Sequence, residues 1–170
     1  MERDQTFALS SGVEVTFRVV RPEDARALQR LLARCSQRTI YLRFFGSLEK
    51  LSDQQAQYFA STDGVDHFGL VALDPEDENE TIAVVRYTRE PCDERAEYAA
   101  LVEDSWQGHG VGAKLTRRLI EKARDNGVRS FYALVKGKNK RMLSALRHLD
   151  LPEQERVEEG EKLVEVRLAS

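Results

Sequence analysis

From Ala96 to Leu119 the chain reads AEYAALVEDSWQGHGVGAKLTRRL: an apolar stretch, three glycines on alternate positions (Gly108, Gly110, Gly112), then an amphipathic run. This junction limits the fold more than any other feature. The first amides of a helix have no partner within it, and the helix dipole adds about half a positive charge there. Glycine lacks a Cβ, takes up positive φ and lets a ligand approach the backbone. A strand that passes through bare backbone into a helix is therefore a cradle for a phosphate-bearing ligand.

The elements around the junction follow from periodicity. Val13, Val15, Phe17 and Val19 alternate as one face of a strand. Arg21-Pro22-Glu23-Asp24 opens a helix with Ala25, Leu28, Leu31, Leu32 and Cys35 as its apolar stripe, proline and acidic residues suiting its first turn. Ser52 to Gln55 resembles a capping box ahead of a second helix with Ala56 and Phe59. Two strands are predicted at Phe68 to Leu73 and Thr81 to Tyr87, joined by DPEDENE as a solvated hairpin turn, and a fourth at Ala96 to Val102. The helix Val111 to Asn126 turns Leu115, Leu119, Ile120 and Ala123 inward and ends at Asn126-Gly127. A short fifth strand, Phe131 to Val135, leads through KGKNKR to a last helix carrying Met142, Leu143, Leu146 and Leu149, which ends at Leu151-Pro152. Val157 and Leu163 to Leu168 form a terminal strand pair. No repeat or linker interrupts the pattern, so residues 1–12 read as an N-terminal extension and 13–170 as a single domain.

Composition excludes several classes of function. The 170 residues are enough for one core without metals or disulfides. No apolar run approaches the roughly 18 residues that span a bilayer, and MERDQTFALSSG has no signal-peptide block, so no membrane role and a cytoplasmic location are expected. With only Cys35 and Cys92 there is neither a disulfide framework nor a metal set. A net charge of -3 and a pI of about 5.7 argue against a nucleic-acid partner.

Spacing separates the phosphate-binding motifs. A Walker loop needs G-x-x-x-x-G-K-[ST], whereas here Ala113 intervenes between Gly112 and Lys114. Gly108-x-Gly110-x-x-Ala113 matches the letters of a dinucleotide fingerprint, but the next strand ends at Val135-Lys136 without the acidic residue that would hold a ribose. Val102 to Gly112, a strand end followed by Q-x-x-G-x-G and a helix, resembles the acyl-CoA motif of the GNAT acetyltransferases. The order of elements from Val13 to Leu168 is similar to that fold too, an α/β (α+β) architecture with a mixed, mostly antiparallel sheet of about seven strands and about four helices. SQRTIYLRFF (Ser36 to Phe45), RAEYAALVEDSWQGHGVG (Arg95 to Gly112) and NKRMLSAL (Asn139 to Leu146) look like the acetyltransferase domain of bacterial protein lysine acetyltransferases, which modify acyl-CoA synthetases. That domain is often fused to a regulatory partner.

The resemblance implies acetyl-CoA as co-substrate, held by Leu101, Val102, Gln107, Gly108, His109, Gly110, Val111, Gly112, Ala113 and Asn139. It implies an acceptor amine, most simply a protein lysine of the acyl-CoA synthetase type, and leaves room for a homodimer. A lysine ammonium has a pKa of about 10.4, so near neutrality only about a few parts in ten thousand are nucleophilic. Glu97 matches the family's general base, among neighbours apolar enough to raise its pKa. The competing reading is a glutamate salt-bridged to Arg95 or Arg86. The tyrosine many relatives carry as acid is Leu146 here; a thiol of pKa about 8.5 leaves without one. Lys136, Lys138, Lys140 and Arg141 either neutralise CoA phosphates or form a solvated turn, and Tyr41 to Phe45 either lines the acceptor entry or plugs the core. Two alternatives stand beside lysine transfer: acetylation of a small amine, or acyl-CoA binding without catalysis.

Overall fold

Ahead of the alternation that starts at Val13, Gln5–Ala8 already forms strand β1, paired antiparallel with β2, Glu14–Val19. Residues 5–8, within the stretch expected as an extension, thus supply an edge strand. The computed structural model describes residues 4–35, 51–135, 151–158 and 161–168. Within them β3 (His67–Asp74), β4 (Asp77–Thr88), β5 (Arg95–Val102), β6 (Ser130–Val135), β7 (Glu153–Glu158) and β8 (Glu161–Arg167) complete an eight-stranded sheet. Its order is β1-β2-β3-β4-β5-β6-β8-β7, and all neighbours are antiparallel except β5 and β6. The mixed, mostly antiparallel class is as expected, with β1 as the added strand.

Three α-helices lie among the described residues: α1 (Ala25–Arg34), α2 (Asp53–Ala60) and α3 (Val111–Asp125). The helix expected around Met142 to Leu149 lies outside them. A 3-10 turn, Pro22–Asp24, precedes α1, and the 7%-exposed carboxylate of Asp24 explains its position. That group accepts the Arg21 amide at 2.8 Å and both ends of the Arg18 guanidinium at 2.7 and 2.8 Å. A buried charge is tolerated only with such pairing. The expected capping box of α2 is present: Ser52 Oγ accepts the Gln55 amide at 3.1 Å and Gln55 Oε1 accepts the Ser52 amide at 2.9 Å.

The two faces of the sheet are assigned by alternation. Tyr98 is hydrogen-bonded to Thr116 of α3, so that face of β5 meets α3. Neighbours of opposite parity, Glu97 and Ala99, point the other way, as does Arg86, which lies opposite Ala99 and contacts the rings of Tyr58 and Phe59 on α2. On its own face α3 lays Lys114, Arg118 and Lys122, four residues apart, over Phe7 of β1, Phe17 of β2 and Phe68 of β3. Their stems cover aromatic surface while the charges reach water. Leu115, Leu119 and Ala123 of the same helix are fully buried against the sheet. No described helix is long and apolar enough to cross a membrane.

Candidate active site

The one parallel junction in the sheet is also where it opens. β5 and β6 stay in register only at Arg95–Ser130, Ala96–Phe131 and Glu97–Tyr132. Beyond Glu97, β5 is paired on its β4 side through Val102 and has no register partner on the β6 side. The Glu103 amide donates to the Ile82 carbonyl at 2.9 Å, which sets the parity of the antiparallel ladder. Leu101, Ala99 and Glu97 therefore turn their backbone groups to β4, and Val102 and Ala100 turn theirs into the opening. Of the pair expected beside a thioester, Val102 turns its peptide groups into the opening, whereas those of Leu101 belong to the β4 ladder and its side chain is only 2% exposed. Ala100 shares the orientation of Val102. Nothing in an alanine's identity signals this; counting back two from Val102 would have found it.

At the far end of the opening the chain makes the glycine turn. A 3-10 turn, Asp104–Trp106, follows β5, and Gln107 Nε2 donates 3.0 Å back to the Val102 carbonyl, fixing the exit of the strand. Gly108 and Gly110 hold φ of 79° and 87°, and Gly110 is the N-cap of α3. A Cβ at either would meet nothing within 4 Å, so these two residues present bare backbone to open space. The first helical bond of α3 runs from the Lys114 amide to the Gly110 carbonyl at 3.0 Å, leaving the amides of Val111, Gly112 and Ala113 ahead of it at the positive end of the helix. His109 is exposed, with its ring edge-to-face against Trp106 at 6.0 Å. This backbone surface suits the phosphates of an acyl-CoA.

Two residues that sequence reasoning passed over hold the turn against the strand. Thr116 Oγ1 donates 2.7 Å to the Gly112 carbonyl, and the Tyr98 hydroxyl lies 2.8 Å from Thr116 Oγ1. Both side chains are buried, and burial pushes the Tyr98 phenol well above its ordinary pKa. The pair thus links the start of α3 to β5 one residue from Glu97. The spacing of Thr116 four residues after Gly112 was the available signal.

Glu97 is half-buried on the opposite face, level with Thr88 on β4 and Tyr132 on β6. Arg95, one of its two expected ion-pair partners, instead donates from Nε to Glu165 Oε1 at 2.7 Å. Arg86, the other, is 3% exposed, donates 3.5 Å to the Tyr58 carbonyl and 3.4 Å to Thr88 Oγ1, and burial lowers its pKa to about 10. It remains a cation at neutral pH. Behind the strand end, Cys35 Sγ approaches the Val102 carbonyl at 3.9 Å; burial, then Asp104 and Glu103, raise its thiol to about 12 and leave it unreactive. Asn139, the basic residues from Lys136 to Arg141, and Tyr41 to Phe45 lie outside the described residues.

Comparison with known proteins agrees with this geometry. The family model described as acetyltransferase (GNAT) domain matches residues 14–151. An acetyltransferase of Pseudomonas aeruginosa is 32% identical over 137 residues, covering 79% of this chain and 73% of that protein. The crystal structure of the GNAT domain of S. lividans PAT superposes with a TM-score of 0.84 at 30% identity, covering 97% of each chain. A cAMP-binding acyltransferase from Mycobacterium smegmatis gives a TM-score of 0.68 at 26% identity, and this chain, covered to 99%, spans 48% of its length. With a family model matched from Glu14 to Leu151 and a splayed β5–β6 pair ending in a glycine turn, the chain belongs to the GNAT acetyltransferases, enzymes that pass an acyl group from acetyl-CoA to an amine.

Proposed function

We propose that this protein acetylates a lysine side chain of a protein substrate by direct transfer, with Glu97 as general base. The observation that carries the reading is position: Glu97 is the last residue of β5 in register with β6 before the strands part. Five residues at about 3.3 Å each separate it from Val102, about 17 Å along the opening, a span on the scale of an extended pantetheine arm. A co-substrate with its phosphates on the amides of Gly108, His109, Gly110, Val111, Gly112 and Ala113 would bring its acyl end near Glu97, with Asn139 assisting on the CoA arm. The backbone groups of Ala100 and the amide of Val102 would pair with that arm. The carboxylate would take the proton from the incoming ammonium, directly or through a water. A protein acceptor is favoured by the likeness to S. lividans PAT, a protein acetyltransferase. An acyl-CoA synthetase lysine is the acceptor to try first, in the cytoplasm, with residues 13–170 acting as one catalytic unit.

The test is release of free CoA from acetyl-CoA in the presence of acyl-CoA synthetases, polyamines and free amino acids. Release that tracks acetylation of a synthetase lysine is the expected result. Release with small amines alone would reassign the enzyme to metabolite acetylation, and tight acetyl-CoA binding without turnover would make it a binding module. Glu97→Gln should lose about 100-fold or more in kcat with acetyl-CoA affinity unchanged. Wild-type turnover in that variant would remove Glu97 as the base.

A further inference from the structure

The register places an uninterrupted polar row on the face that carries Glu97. Thr88 of β4 is opposite Glu97 of β5, Glu97 beside Tyr132 of β6, Tyr132 opposite Glu165 of β8, and Glu165 opposite Gln154 of β7. Successive members are one strand spacing apart, about 4.8 Å, so Glu97 and Glu165 flank Tyr132 at the same level of the sheet. Arg95 lies two residues before Glu97 on the same face, about 6.6 Å along the strand and well within reach of its carboxylate. Yet its side chain runs the other way. The guanidinium crosses β6 with its carbon 4.8 Å from the centre of the Tyr132 ring, and Nε donates to Glu165 Oε1 at 2.7 Å. Ser130 Oγ donates to the same carboxylate oxygen at 3.2 Å.

This arrangement decides which carboxylate holds the cation. A guanidinium on Glu97 would stabilise its ionised form, weaken it as a base and repel an incoming ammonium. Glu165, 18% exposed in its side chain, competes for Arg95 with help from a ring face and a hydroxyl. Arg86 donates instead to the Tyr58 carbonyl at 3.5 Å and to Thr88 Oγ1 at 3.4 Å.

Building on Glu97 as the base, we infer that Glu165 is a positioning residue for the transfer: it draws Arg95 across Tyr132 and keeps the guanidinium off the Glu97 carboxylate. Glu165 touches neither the donor nor the acceptor. Its proposed effect on turnover passes through Arg95, which distinguishes this role from a general contribution of β8 to the sheet.

The test is a suppressor cycle on the full chain, assayed by CoA release with an acyl-CoA synthetase as acceptor, or with the small amine from the panel if that is the one turned over. Glu165→Gln should lower kcat about tenfold while the KM for acetyl-CoA and the unfolding temperature stay near wild type. Arg95→Met, which retains a stem over Tyr132, should stay within about threefold of wild type, and the double variant should return to that level. Wild-type activity in Glu165→Gln would overturn the inference, as would a double variant no faster than the single one. Failure of the underlying base reading has a separate signature, undiminished turnover in Glu97→Gln.

Discussion

At the scale of single residues, one backbone conformation and one carboxylate lead to measurable expectations. Gly110 stands at φ 87°, where an L side chain is strained by about 1 kcal/mol. Gly110→Ala should lower the unfolding temperature modestly and raise the KM for acetyl-CoA several-fold, because the methyl also projects from the surface offered to phosphate; steady-state kinetics beside thermal unfolding would separate the two effects. Asp63 Oδ1 accepts the amides of Val65, Asp66 and His67 at 2.8, 2.7 and 2.9 Å. Burial pushes this carboxyl up, but those three amides outweigh it and hold it below its usual value. Its folded pKa is thus below the unfolded value of about 3.9, so its contribution is complete above that pH and disappears as pH falls through the folded pKa. Asp63→Asn should therefore lose less stability than wild type on acidification below about pH 4, measured by urea midpoints. The glycines were legible from residue type, because few residues tolerate positive φ. The orientation of Ala100 was not, since it depends on strand register.

At the scale of elements, sequence signals worked where the physics is local. The capping box of α2 and the Asn126-Gly127 stop of α3 each depend on residues within one turn, and both are present in the structure. β1 escaped notice because a four-residue edge strand, QTFA, offers a single large apolar side chain. The hydroxyl pair joining β5 to α3 was missed for a different reason: Tyr98 and Thr116 are eighteen residues apart and meet only when helix and strand dock. Tyr98→Phe removes one hydroxyl from a buried pair and should cost about 1 kcal/mol. It should also loosen the glycine turn, so denaturant unfolding and the KM for acetyl-CoA should shift together.

At the scale of the whole molecule, the β1 edge of the sheet and the β5–β6 opening near its middle are well separated. Phe7 packs on Phe17 at 5.4 Å between ring centres and underlies the Lys114 stem, four strands away from the β5–β6 opening. Phe7→Ala should lower the unfolding temperature, at a cost of about 1–3 kcal/mol, and leave both KM and kcat unchanged; a change in acetyl-CoA affinity would show that the edge and the opening are coupled. The amino-acid sequence by itself determined the order of the described elements from β2 onward, the buried stripes of its helices and the bare backbone before α3. These are consequences of side-chain period and residue chemistry within a few turns of chain. The tertiary structure decided which backbone groups the parting of β5 and β6 leaves facing the opening, and which carboxylate takes Arg95. Glu165 lies seventy residues from Arg95, and such a pairing is set by strand register across the sheet, which depends on the packing of every strand at once and on no local pattern.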